Sequence, residues 1–179
     1  MELADEATRE KEDGSDTEFL VEDHRRLDGL LQAAVARPST VDNRAYAQFR
    51  AGLLRHIGME EKILLPAAQR GSGGESLSIA AKLRLDHGAL AGLLMPTPTS
   101  AILAAIQGIL VDHNVLEEGA TGLYETCDAL AGSEGEPILA ALRAALDVAV
   151  MPYNDSPAVM SAVRRALERA GYHFRDQYP

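Results

Sequence analysis

Four of the five histidines in this chain fall one to each of four consecutive segments whose apolar residues recur at three- and four-residue steps. In the first segment, Phe19, Leu20, Leu27, Leu30, Leu31 and Val35 set the period around His24. Asp16 or Thr17 can cap its start, and Pro38 is expected to close it. The second opens near Val41 and Asp42 and carries His56 among Phe49, Leu53, Leu54, Ile57 and Ile63–Leu65; Pro66 is expected to kink or end it. After the break at Gly71–Gly74, a third segment from Glu75 to Leu94 holds His87. A fourth, from Thr99 or Ser100, is read as running past Ile102, Ile106, Ile109, Leu110, His113, Leu116 and Leu123 to Gly132. A fifth helix is expected from Pro137, with Ile138, Leu142, Leu146 and Val150 on one stripe. A sixth spans about Ala158 to Ala170, ahead of Gly171.

No alternating stretch is long enough for a sheet. The expected fold is all-α, an up-down-up-down four-helix bundle over residues 17–132 followed by two shorter helices in 133–179. Residues 1–16 carry seven acids and two bases without apolar periodicity, and read as a solvated acidic tail.

Composition narrows the function. Lys plus Arg number 17 against 27 Asp plus Glu, and the formal charge of −10 argues against nucleic acid and anionic membranes as partners. The single cysteine, Cys127, excludes an internal disulfide framework and reads as a small core residue. There is no long apolar run for a membrane span and no signal-peptide pattern, so a cytoplasmic setting is expected. No phosphate-cradling loop, CxxC or Ser/His/Asp constellation is present.

The four histidines share more than their segments. At about 1.5 Å per residue, His24 and His56, and His56 and His87, agree in height within roughly 3 Å, and His87 and His113 within roughly 8 Å. Each lies on its segment's apolar stripe. A single such histidine is ordinarily a hydrogen-bonded core residue. Four in one layer would need many polar partners inside an apolar bundle, and metal coordination supplies them. His56 and His113 are each followed four residues later by a glutamate, Glu60 and Glu117, on the same helical face. Two such pairs on different helices, beside two more inward histidines, can hold two metal ions bridged by two carboxylates. Glu61 and Glu118, about 100° off that face, are expected at solvent or a helix edge.

Asp23-His24-Arg25-Arg26-Leu27, His56-x-x-x-Glu60-Glu61-x-x-x-Leu65-Pro66, Asp86-His87 and His113-x-x-x-Glu117-Glu118 together resemble the hemerythrin-like HHE cation-binding family. The resemblance covers about residues 17–132. It implies a non-haem centre of two iron ions with an oxo or hydroxo bridge, manganese or zinc being the alternatives. It assigns His24 and His56 to one ion, His87 and His113 to the other, and Glu60 and Glu117 to both. Oxygen-carrying members have a histidine four residues after the third-helix histidine; here that position is Ala91, which argues against reversible oxygen transport. The implied function is a protein that senses or reacts with oxygen, nitric oxide or peroxide, or handles iron. Two alternatives stay open: a small di-iron oxidoreductase or iron-centre repair protein, and an interaction module with a structural metal.

Other residues have more ordinary readings beside functional ones. Asp28, one turn from His24 on the same face, can ligate or hydrogen-bond behind a ligand, or form a salt bridge at the bundle end. Tyr124, seven residues after Glu117, can hydrogen-bond toward the centre or pack one layer beyond it, and Tyr46 is weighed in the same way. Asp23, Asp86 and Asp112 each precede a histidine and can accept from an imidazole of a neighbouring helix. His173 lies outside the bundle pattern and reads as structural.

Overall fold

The computed structural model describes residues 15–37 and 40–174. The acidic tail, apart from its last two residues, and the expected stop at Pro38 lie outside them. The helices are α1 (Asp16–Val35), α2 (Asn43–Met59), a π-helical turn (Glu60–Leu64), α3 (Leu65–Gly71), α4 (Ala80–Leu93), α5 (Ser100–Glu118), α6 (Leu123–Ala131), a 3-10 turn (Gly132–Glu134), α7 (Gly135–Arg143) and α8 (Pro157–Ala170). Among the described residues no strand forms beyond the isolated bridge of Arg37 with Thr40. The protein is all-α, and among the described residues no helix is long and apolar enough to cross a membrane.

Short polar residues set the helix starts. Ser15 caps α1 by accepting from the Glu18 amide at 3.1 Å, so the cap is one residue earlier than the sequence suggested. Asp42 caps α2 through the Arg44 and Ala45 amides, and Thr99 caps α5 through the Ile102 amide. Pro157 begins α8 directly after its Ser156 cap, and Gly171 ends that helix at φ 91°.

Four local expectations need correction. Of the kink or end expected at Pro66, the end does not occur. The proline ring crowds the carbonyl four residues back and has no N–H to donate. The π turn just before it, in which the Leu65 amide bonds to Glu60 O, lets the chain continue helical to Gly71. Residues 75–79 are not helical: Gly73 and Gly74 take positive φ, and α4 starts only at Ala80. The fourth segment is two helices, with a corner between Glu118 and Leu123 in which Thr121 has φ 62°. The fifth helix stops at Arg143, and just beyond it the Arg55 guanidinium donates to the Ala145 carbonyl at 3.0 Å, holding the irregular chain that follows against α2. Leu146 and Val150, expected on an inner stripe, are therefore 86% and 39% exposed.

The corner depends on Gly122. A Cβ there would lie 2.7 Å from the carbonyl oxygens of both Glu117 and Gly119 and 2.9 Å from that of Leu116. These are backbone atoms that cannot swing aside. Gly122→Ala is expected to cost about 1–3 kcal/mol of stability, measured by denaturant unfolding; an unchanged midpoint would show that the corner yields freely.

α1 packs chiefly on α2, α4 on both α5 and α8, and α6 on α3 and α5. The apolar interior forms two clusters. One holds Leu27, Leu53, Leu90 and Ile109, with Val163 and Leu167 of α8. The other holds Leu20, Met59, Leu83 and Leu123, with Ile138 and Leu142 of α7. The chain after Gly132 thus shares both cores with the long helices. His24, His56 and His87 each lie in sequence between a member of one cluster and a member of the other, so a polar layer separates the two.

Candidate metal centre

That layer contains six buried residues: His24 of α1, His56 of α2, Glu60 at the start of the π turn, His87 of α4, and His113 and Glu117 of α5. Both glutamates are fully buried, at 0% exposure. His56 Nε2 lies 3.4 Å from Glu60 Oε1, and His24 Nε2 lies 3.3 Å from Glu117 Oε2. The other two histidines face the opposite oxygens: His87 Nε2 is 3.1 Å from Glu60 Oε2, and His113 Nε2 is 3.0 Å from Glu117 Oε1. Ligand atoms gather into two groups, His24, His56, Glu60 and Glu117, and Glu60, His87, His113 and Glu117, each within 4.8 Å. Both carboxylates belong to both groups, and each presents one oxygen to either side.

Carboxylates lie on the Nδ1 side of every imidazole. Nδ1 of His56 donates to Asp23 at 2.9 Å, that of His24 to Glu118 at 2.6 Å and that of His87 to Glu61 at 2.7 Å, while His113 Nδ1 stands 3.5 Å from Asp86 Oδ2. The pattern is reciprocal. The acid before a histidine serves the histidine of a neighbouring helix, as does the acid after a shared glutamate. Glu61 and Glu118 do lie at helix edges, Glu61 half-buried and Glu118 exposed, but each is also an imidazole partner. Their rotation of about 100° off the ligand face aims them at the adjacent helix, which the same reasoning applied to Asp23 and Asp86 could have found. Asp112 is exposed and has no such role. Lys82 donates to Asp86 and also to the Ala170 carbonyl and Tyr172 hydroxyl, tying the end of α8 to this shell.

Because such partners fix the tautomer and aim Nε2 inward, Glu118→Gln is expected to weaken metal affinity 10–100-fold. A competition titration against a chelator measures this, and wild-type affinity would remove Glu118 from the site.

The charges are strongly coupled to burial. Burial and the Glu60 charge push the Glu117 carboxyl up, but His113, His24 and His87 outweigh them and hold it at about 2. Burial likewise opposes ionisation of Glu60, yet His56 and His87 hold it well below its ordinary value. The imidazoles respond in kind. Burial pushes His56 down, while Glu60, Asp23 and Glu117 bring it up to about 10. His87 is raised to about 11 by Glu117, Glu60 and Glu61 against its burial, and His113 to about 9 by Asp86 and Glu117.

These charges leave contacts unmade. Glu60 Oε2, both Glu117 oxygens and His87 Nε2 are buried without a hydrogen-bond partner among the described residues. Orphaned carboxylate oxygens in an apolar interior are costly, and cations in the two groups would satisfy all of them. The mixed imidazole and carboxylate donors suit iron, manganese or zinc. The residues therefore fit a metal pair.

Of the other candidates, Tyr124 is at the centre and not a layer beyond it. Its hydroxyl donates to Glu60 Oε1 at 2.8 Å and lies 3.2 Å from His24 Nε2 and 3.4 Å from His56 Nε2. Asp28 is exposed and accepts from Gln32, at the edge of a cavity of about 40 Å³ that His24, His56 and His113 line from within. Tyr46 packs near Phe49 in the first apolar cluster, Cys127 is buried in the second, and His173 is exposed beyond α8.

No curated protein and no solved structure matches the chain. The family model described as the hemerythrin HHE cation binding domain matches residues 15–121, more than half of the chain. That span begins at the α1 cap and ends in the corner after α5, so it takes in both histidine pairs and the two glutamates they share. The chain belongs to the hemerythrin HHE cation-binding domain family.

Proposed function

We propose that this protein binds two iron ions between its paired histidines and uses them to sense or react with a small molecule such as oxygen, nitric oxide or peroxide. The carrying observation is that two four-residue ligand groups share both glutamates, which two ions a few ångströms apart require. The up-down-up-down run of α1, the α2–α3 helix, α4 and α5 is part of this reading, since it brings one histidine from each to a common height. Such an iron pair supplies a change of oxidation state and coordination positions for a small ligand.

The chain's own residues prepare the site. Glu60 and Glu117, held ionised, attract and neutralise the cations. Asp23, Glu118 and Glu61 accept hydrogen bonds from the Nδ1–H of three imidazoles, which turns each Nε2 toward the centre to coordinate. Leu27, Leu53, Ile57 and Leu110 wall the adjoining cavity, whose volume of about 40 Å³ suits a ligand of a few atoms. A larger organic substrate would not fit there.

Anaerobic loading with iron, metal analysis and optical spectra on addition of oxygen, nitric oxide or peroxide tests the proposal. Two irons per chain and a spectral response to at least one of these ligands are expected. A single zinc ion and no response would overturn it.

A further inference from the structure

Tyr124 occupies a place that a partner merely orienting Glu60 would not need. Glu61, Glu118 and Asp23 approach the centre from outside, on the Nδ1 side of the imidazoles. The Tyr124 hydroxyl approaches from within, on the Nε2 side, where it meets three ligand atoms of one group: Glu60 Oε1 at 2.8 Å, His24 Nε2 at 3.2 Å and His56 Nε2 at 3.4 Å. Ligand atoms about 2.0–2.2 Å from one metal ion, at right angles, stand about 3 Å apart. The four residues of that group keep this spacing, His56 to Glu60 at 3.4 Å and His24 to Glu117 at 3.3 Å. Tyr124 keeps it too. No comparable fifth atom is recorded at the group of His87 and His113 among the described residues.

Tyr124 is also 3% exposed and lies on α6, just past the span matched by the family model. On an unbroken helix a residue seven positions after Glu117 would stand about 10 Å further along the axis. The corner at Gly119–Gly122 turns α6 back and aims the ring at the centre.

We propose that the Tyr124 phenolate oxygen is a fifth protein ligand to the ion held by His24 and His56, so that the two metal positions are unequal. This rests on the paired-metal reading above. The O–H bond breaks as the oxygen–metal bond forms, and the proton leaves to solvent; no electron is transferred. The ion at His87 and His113, with four protein ligands, keeps more positions for a small molecule. A hard, anionic oxygen also favours the ferric state of the ion it binds.

The test uses the full chain loaded with ferric iron. Phenolate bound to ferric iron gives a visible charge-transfer absorption whose resonance-enhanced Raman bands are tyrosine ring modes. Tyr124→Phe is expected to abolish both while two irons per chain remain by metal analysis. Where the variant loses iron or fails to fold, wild-type protein grown on ring-deuterated tyrosine gives an independent answer, because the enhanced bands must shift. Two irons without a phenolate band, a Tyr124→Phe spectrum identical to wild type, or bands insensitive to the label would overturn the proposal and leave the metal pair standing. A phenolate band that Tyr124→Phe removes, in protein holding one iron, would uphold the ligand and overturn the pairing.

Discussion

Replacing Glu117 by alanine is expected to empty both metal positions at once. The two Glu117 oxygens face different imidazoles, Oε2 toward His24 and Oε1 toward His113, so truncation removes a ligand from each group in one step. The loss should exceed the 10–100-fold expected for an outer partner such as Glu118, because a coordinating oxygen disappears from both ions and neither then stabilises the other. Glu60→Ala should behave alike, its oxygens facing His56 on one side and His87 on the other. His24→Ala should weaken mainly the group that it shares with His56. Glu117→Ala also removes one carboxylate from beside three buried imidazoles, His24, His87 and His113, which can itself unfold the chain. Glu117→Gln keeps the volume and one oxygen, and separates loss of the bridge from loss of the fold. Metal content after desalting is the measurement. Retention of one tightly bound ion by folded Glu117→Gln would show that the glutamate serves only one position.

The second large effect is an inversion of the protein's pH dependence on removal of metal. In the metal-free state His56, His87 and His113 are raised from 6.5 to about 10, 11 and 9. A raised histidine contributes stability that is fully present below its unfolded value and is lost as pH rises through its folded one. Glu117 is depressed from 4.5 to about 2, and its contribution is present above the unfolded value and lost as pH falls toward 2. Glu60 acts in the same direction. The chelated protein should therefore be most stable between about pH 4.5 and 6.5. Metal ions need the same nitrogens without protons, so loading at neutral pH displaces protons, and acid displaces metal. Metal should then stabilise most above neutrality. With free metal a thousandfold above its dissociation constant, the gain of about 4 kcal/mol corresponds to a Tm increase on the order of 10 °C. Melting curves with and without chelator across pH 5–9 measure it. The increase is expected at pH 8 and should vanish near pH 5, with the helical signal of the chelated protein retained because both apolar clusters persist. Coincident curves at pH 8 would mean that the four histidines hold no metal.

Much of this centre is legible in the sequence, because its main constraints are local. A histidine and a glutamate four residues apart share a helical face whatever the helix packs against, and the apolar stripe fixes which face turns inward. His24, His56, Glu60, His87, His113 and Glu117 could be named on that basis, and the structure brings them within one layer. The all-α class followed from the same periodicity. What the sequence could not specify depends on atoms distant along the chain. Glu61 and Glu118 looked peripheral because a helical phase measures direction from one axis and carries no information about the imidazole waiting on the next helix. Pro66 read as a kink or a stop because the widened turn that accommodates it has no strong side-chain signature. The stripe of Leu146 and Val150 was real as a pattern, but the helix ends at Arg143 and the chain beyond it is held by a contact from a distant helix, Arg55 of α2 on the Ala145 carbonyl. Tyr124 shows the division most clearly. Counting seven residues from Glu117 places it a full layer away, and only the corner at Gly119–Gly122, set by backbone crowding that glycine alone relieves, returns its hydroxyl to 2.8 Å from Glu60.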